Sequence, residues 1–417
     1  MAKKATATAI TTKRPELHAP TPAEKRAAIE GIVGDAVKKY GPGRVERAEQ
    51  ASSTYMLRRP TGITSLDIAM AGGWPAAAPS VLVGPEGAGK DYLLWRTMAE
   101  SQKIYGDDFC AAVYFTEFKM DKTYMKDMCG FQIALSEEEI EELDRARQRS
   151  RQAPLTAQQL DYYRHQIGNF YAIYGISADH GFDEIFKFLR SNCCQIIAVN
   201  SIGFMQTEAK EVTDSYEEFA QQRNEAMLLS KALPQFAMYA NQPDAWGRPN
   251  ETSVLLVNQV RSKDNAQKPM KGRPVQEKDT YKSAANAWAL KHGKALEVFL
   301  HNGPKIYDEG TTPPLCVGRK KNWEITKGKL GTHEGIRGEF DYFHGVGADL
   351  LGDLLASVVK LGVIEMSGSW LSYEGDGFAL RAQGAARALE QLRKNPDLAE
   401  HLRMRCFQET CTLLRTR

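Results

Sequence analysis

The run VLVG (Val81–Gly84) passes without a break into GPEGAGKD (Gly84–Asp91), and that into the helix-prone YLLWRTMAESQKIY. A buried strand, a glycine-rich turn and a helix in this order leave little choice of architecture. Gly-x4-Gly-Lys in such a setting makes a loop whose backbone N–H groups, with the helix N-terminus, receive phosphate oxygens, while Lys90 neutralises their charge. Glycine is required because the amides curl inward with no side chain in the way. Four further near-continuous apolar runs alternate with helical segments: CAAVYFT (Cys110–Thr116), QIIAVN (Gln195–Asn200), SVLLVNQV (Ser253–Val260) and ALEVFL (Ala295–Leu300). Strands of this kind are buried on both faces. The expected fold class is therefore α/β, a mostly parallel central sheet covered by helices.

A chain of 417 residues has room for two to three domains. Residues 1–22, rich in Thr, Ala, Pro and Lys, read as a disordered tail, and no apolar run follows their positive charge as in a secretory signal. Ala23–Tyr40 then sets Ile29, Ile32, Val33 and Val37 on one helical face and stops at GPG; with the linker to residue 58 it is expected to serve oligomerisation. The core is expected over 59–345, interrupted at about 135–168 by a charged helical pair, EEEIEELDRARQRSR and LDYYRHQI, read as a solvated decoration. From 346 to 417 a helix, short strands around SGSWLSYEG and two more helices form a small α+β carboxy-terminal domain.

Composition narrows the function classes. With 42% hydrophobic and 25% charged residues the chain is globular, and no apolar stretch approaches the roughly 18 residues of a membrane span. Seven cysteines without a CxxC pair or a histidine cluster argue against a disulfide framework or a zinc site, and Cys193 and Cys194 are expected beside a buried strand. Fifty-four basic against 52 acidic residues leave a net charge of +2, so any grip on nucleic acid must come from local patches.

The loop departs from its type at one point. The residue after the lysine should be Ser or Thr, whose hydroxyl ligates Mg²⁺; here it is Asp91. The acidic residue expected to close the strand QIIAV is Asn200. Together the two changes move one carboxylate from the strand to the loop and leave the formal charge of the site unchanged. Asp91, with Asn200 beside it, is the candidate metal pair, since hard cations prefer carboxylate oxygen.

TGITSLDIAMAGG (Thr61–Gly73), GPEGAGKD, YFTEFKMDKTY (Tyr114–Tyr124), QIIAVNS (Gln195–Ser201), LLVNQVR (Leu255–Arg261) and GSWLSYEGD (Gly368–Asp376) occur in the order seen in bacterial RecA recombinases. The chain resembles that family from about Ala23 to its last helices, leaving out the tail and the insertion, and its divergence suits a distant, phage-encoded or similar member. The resemblance implies that Glu117 activates the attacking water, that Gln259 senses the γ-phosphate, and that both act with Lys90. It places ATP on Gly84, Pro85, Glu86, Gly87, Ala88, Gly89, Lys90, Asp91 and Tyr92, near Asn200, with Asp121 and Tyr124 holding the adenine. Lys327 and Lys329 match a lysine pair that reaches into the neighbouring subunit's nucleotide site.

Two loops are implied to bind DNA. One, around Met205–Tyr216, leads into a helix carrying Arg223 and Lys231. The other spans Arg261–Lys282 and holds Arg261, Lys263, Lys268, Lys271, Arg273, Lys278 and Lys282 against three acidic residues, a net +4 on 22 residues. Ser283 follows it, where the family commonly has Thr-Gly-Gly-Asn and this chain has Ser-Ala-Ala-Asn. The first loop is about two residues shorter than usual and carries Glu208, Glu211, Glu217 and Glu218, which weaken attraction to a phosphate backbone. An acidic tail common in the family is replaced by CTLLRTR, which removes a brake on double-stranded DNA.

The expected activity is that of an ATP- and Mg²⁺-dependent DNA recombinase. It would form filaments on single-stranded DNA in the cytoplasm (a host's, if phage-encoded), pair them with double-stranded DNA, and work beside loader or single-strand-binding proteins. Two alternatives stay open: a filament-forming scaffold that binds ATP and scarcely hydrolyses it, and a ring-shaped DNA helicase on the same core.

Overall fold

The computed structural model describes residues 21–45, 57–117, 121–165, 169–206, 218–244, 247–262, 281–283 and 288–415. The chain divides into two compact units, Met1–Ala51 with Ala245–Arg248, and Ser52–Asp244 with Pro249–Arg417.

The first unit contains the helix Pro22–Tyr40. Thr21 and Glu24 close a reciprocal capping box at its start, Pro22 fits the first turn because its missing N–H is not needed there, and Gly41 ends it at φ +89°. None of its residues is buried; Ile29, Ile32 and Val37 are exposed.

In the second unit a short ribbon of β1 (Arg58–Arg59) and β2 (Trp74–Pro75) precedes β3 (Pro79–Gly84), the strand that feeds the glycine loop. The main sheet adds β4 (Cys110–Phe115), β5 (Asn169–Ile173), β6 (Ile196–Asn200), β7 (Ser253–Ser262), β8 (Tyr281–Ser283), β9 (Leu296–Asp308), β10 (Leu315–Gly328), β11 (Arg337–Phe343) and β12 (Gly347–Ala348). Their order is β12-β11-β10-β9-β3-β7-β6-β4-β5, with β8 paired to β7. The six strands from β9 to β5 along this order are parallel, as the apolar runs require.

The other half differs from the sequence reading. The strand expected to stop at Leu300 runs on to Asp308 and folds back as the 14-residue β10, so that β10, β11 and β12 extend the sheet antiparallel. Past Leu300 the side chains are half-buried or exposed, and HNGPKIYDEG has neither the apolar run of a buried strand nor a clean alternation.

Both faces of the parallel part are covered. One packs Leu82, Val113 and Val298 against the helix Lys90–Tyr105, with Leu93, Trp95 and Met98 in the same core. The other packs Val81, Ile197 and Leu256 against the helices Ala178–Ser191 and Glu218–Ala240 through Phe182, Phe186 and Phe236. In TGITSLD the work of Asp67 is internal: buried, it accepts hydrogen bonds from the Thr61 N–H (2.7 Å), the Thr61 hydroxyl (2.8 Å) and the Gly62 N–H (2.9 Å).

The charged insertion forms two helices, Glu137–Arg149 and Ala157–His165, clasped by a 2.7 Å Arg164–Glu137 ion pair and by the Leu135 N–H donating to the Tyr163 carbonyl. The carboxy-terminal region holds the helix Leu350–Lys360, an antiparallel sheet of β13 (Glu365–Ser367), β14 (Trp370–Gly375) and β15 (Phe378–Gln383), and the helices Ala385–Lys394 and Pro396–Arg415. It has its own core, built on Leu354, Val358, Leu380 and Leu402. Among the described residues the cysteines are free, with Cys194 buried and Cys193 exposed just before β6. No described helix is long and apolar enough to cross a membrane.

Candidate active site

Gly84 ends β3 so close to β9 that a Cβ there would stand 2.5 Å from the Leu300 carbonyl oxygen. Only glycine fits, and the chain turns away there into the loop. Gly89 then takes φ +98°, a left-handed conformation that opens the helix Lys90–Tyr105 with no side chain over its first amides. Lys90 is buried, and its ammonium donates to the carbonyls of Gly84 (3.0 Å) and Pro85 (2.9 Å). Burial pulls its pKa down, against the pull of the carboxylates of Asp91, Glu117 and Glu86.

The ends of β4, β6 and β7 bring three predicted residues beside this loop. Glu117 lies two residues past β4; its carboxylate accepts from the Ser201 hydroxyl and, at 2.9 Å, from the Gln259 amide. The strand-end carboxylate and the expected phosphate sensor are thus in direct contact. Ser201, which the sequence reading assigns no role, is itself fixed: its N–H donates to the Thr116 hydroxyl at 2.9 Å, and that hydroxyl donates to the Ser201 carbonyl at 2.6 Å.

Asp91 and Asn200 also meet. The Asn200 amide donates to a carboxylate oxygen of Asp91 at 3.0 Å, although 109 residues separate them. The pair inferred from two separate motif departures is one contact. Asp91 is exposed, keeps its second oxygen outside this bond, and suits Mg²⁺, which is commonly held by one or two carboxylates together with substrate phosphates. Asn200 turns its amide nitrogen to Asp91, so in this geometry it steers the carboxylate.

Asp121 accepts from the Tyr124 N–H at 3.0 Å, at the first residue of a single π-helical turn, Tyr124–Met128. Tyr124 is half-buried, and its hydroxyl bonds with that of Tyr342 on β11; burial and this bond push its pKa up. Tyr92 is a core residue: its ring meets Tyr342 edge-on at 5.1 Å, and its hydroxyl accepts from the Ala348 N–H at 2.9 Å. Its side chain is committed there, so the contact with phosphate expected of Tyr92 would fall to its backbone N–H.

Lys327 and Lys329 are not near this chain's own loop. Lys327 pairs with Glu297, which pairs with Val81; the Lys329 N–H donates to the Ala295 carbonyl, and the Ala295 N–H to that of Pro79. Lys329 therefore stands level with the start of β3, about 17 Å along the strand from Gly84 at 3.3 Å per residue.

One lysine that the sequence reading passed over is at the loop. Lys321 on β10 donates to the Gly87 carbonyl (2.6 Å) and to the Asn302 side chain (2.8 Å), with its ammonium 5.4 Å from the centre of the Tyr342 ring. It is 7% exposed, and burial, helped by Arg319, pulls its pKa down to about 8. The available signal was register: in RKKNWEI, Lys321 shares a strand face with Trp323 and Ile325, both buried.

Of the residues expected on DNA, Lys231 is exposed on the helix Glu218–Ala240, which also contains Arg223 in its backbone. Arg261 and Lys282 are opposite one another in the β7–β8 ladder, and Val260 is opposite Ser283. This ladder begins one residue after Gln259 and closes the base of the second loop. Lys263, Lys268, Lys271, Arg273 and Lys278 lie outside the described residues.

Residues 352–409 match the family described as RecA C-terminal domain. The chain is 25% identical to Protein RecA of Thermus aquaticus, over 92% of its own length and 94% of the relative. It is 26% identical to Protein RecA of Saccharopolyspora erythraea, over 92% of each, and 24% identical to that of Streptomyces ambofaciens, over 91% of this chain and 85% of the relative.

Proposed function

We propose that the chain is a divergent member of the RecA family and, on that premise, an ATP-dependent DNA recombinase that assembles on single-stranded DNA, pairs it with a homologous duplex and exchanges strands. The observation that carries this reading is the Glu117 carboxylate, gripped by Ser201 and Gln259 beside the Lys90 loop. A carboxylate so placed accepts the proton of a water attacking the γ-phosphate, and the two donors fix which oxygen points outward. Gln259 bonds Glu117 and leads directly into β7–β8, so a change at the γ-phosphate reaches the base of the basic loop through one side chain. Lys90 and the loop amides bind and orient the phosphates, and Asp91, steered by Asn200, would hold Mg²⁺, which offsets charge on the transferred phosphoryl group. Lys327 and Lys329, distant from their own loop, serve the site of the next protomer.

ATP hydrolysis with and without single-stranded DNA, beside a Glu117→Gln control, tests the reading. DNA-stimulated turnover that the control loses by about 10²-fold or more supports it. A second reading, a nucleotide-clamped scaffold, draws on the Asn200 amide that occupies one oxygen of Asp91. ATP-dependent DNA binding without hydrolysis in the wild type would select it.

A further inference from the structure

Lys321 has a costly place. It is buried beside the Tyr342 ring, on the strand face that it shares with Trp323, and its stem lies where a Cβ on Gly89 would meet it at 3.8 Å; an apolar side chain of similar length would pack there with no charge to desolvate. A buried ammonium needs good acceptors, and one of the two it has is a backbone carbonyl of the phosphate loop.

We propose that Lys321 is a positioning residue for the nucleotide site, pinning the Gly87 carbonyl so that the phosphate loop keeps the curl that presents its amides. The peptide unit is planar, so holding the Gly87 oxygen also fixes the Ala88 N–H, which donates to the Pro85 carbonyl at 3.3 Å. That peptide is thereby held at both ends. Lys90 ties down the carbonyls of Gly84 and Pro85. Two lysines, one on the helix that follows the loop and one on β10, thus bind three carbonyls of one short loop, and Lys321 does so from a strand that no nucleotide-loop motif includes. It also brings a positive charge to a loop that Asp91 has made more negative. The same ammonium lies over Tyr342, whose hydroxyl bonds with Tyr124, so one strand edge braces both the phosphate end of the site and the expected adenine platform.

This inference rests on the ATP-binding reading, and the experiment separates the two. Binding of a fluorescent ATP analogue with Mg²⁺ and steady-state ATP hydrolysis with single-stranded DNA are measured for the wild type, Lys321→Met, Lys321→Gln and Lys321→Arg. Lys321→Met keeps the apolar stem, and Lys321→Gln keeps a donor but not the charge. Both raise Kd and KM about tenfold and leave kcat within about twofold, because a loop that binds ground and transition states alike acts on KM. Lys321→Arg, which keeps the charge and five donors, recovers most of the affinity. A lysine needed only for folding would lower the fraction of active protein and leave Kd and KM at wild-type values, and that result would overturn the proposal. So would a fall in kcat at constant KM, or wild-type affinity in Lys321→Gln. A wild-type chain that binds no ATP would overturn the nucleotide reading together with this one, whereas wild-type binding unchanged in every variant overturns only the role of Lys321.

Discussion

Asp91 and Asn200 share a 3.0 Å hydrogen bond, so neither can be changed without altering the environment of the other. Asp91→Thr, which removes the site's relocated carboxylate, is expected to lower ATP turnover about 10- to 100-fold, and Asn200→Asp, which puts a second carboxylate against the first, to weaken Mg²⁺-nucleotide binding. The double variant, with the carboxylate back on the strand, should be more active than the product of the two losses predicts. A double-mutant cycle on ATP hydrolysis checks this, with a coupling of about 0.5–3 kcal/mol expected for residues in contact. Lys321 provides a second residue-level test. Its pKa stands at about 8 in the folded chain against an ordinary 10.5. Between those values the unfolded chain holds a proton that the folded chain has released, so stability should rise with pH there relative to a Lys321→Met variant. Denaturant midpoints of both chains at pH 7.5 and pH 10 measure that difference. The two cases also mark what is legible at this scale. Asp91 is visible in the sequence because it breaks a local motif. Lys321 reaches Gly87 across 234 positions, a distance no local pattern records.

At the scale of elements, legibility followed burial. β3, β4, β6 and β7 are near-continuous apolar runs because helices cover both of their faces, and each was found to within a few residues. The β9–β10 hairpin is largely illegible in the sequence, although these are two of the longest strands, because its outer half is exposed and obeys no apolar rhythm. β9 joins the two halves of the sheet, parallel to β3 and antiparallel to β10, and its Leu300 passes close to Gly84 at the end of β3. Gly84→Ala would force a Cβ to within 2.5 Å of that carbonyl and push β3 from β9. Thermal unfolding should show a clear loss of stability, and nucleotide binding should fall with it, since the loop begins there. By contrast Arg164→Ala, which breaks an exposed clasp within the charged insertion, should alter stability by no more than about 1 kcal/mol. Chemical denaturation of both variants puts them on one scale.

For the molecule as a whole, the two ends of the sheet carry different sets of candidate site residues. The phosphate loop, Glu117 and Gln259 cluster where the parallel strands end, and Lys327 and Lys329 stand near where β3 begins. If the lysines complete a neighbour's site, Glu117→Gln chains and chains with both lysines changed to Ala should each be inactive alone. Mixed in equal parts, they should recover roughly a quarter of wild-type ATP turnover, the share of random contacts that join an intact loop to intact lysines. Lysines that act on their own protomer would give no recovery. In a filament built as proposed, the separation of these surfaces also decides how the polymer grows. Its two tips are chemically unlike, one displaying a loop and the other a lysine pair, so addition at each has its own rate and its own poison. A fragment bearing only one of the surfaces would terminate chains at a small fraction of the protomer concentration, and only at one tip.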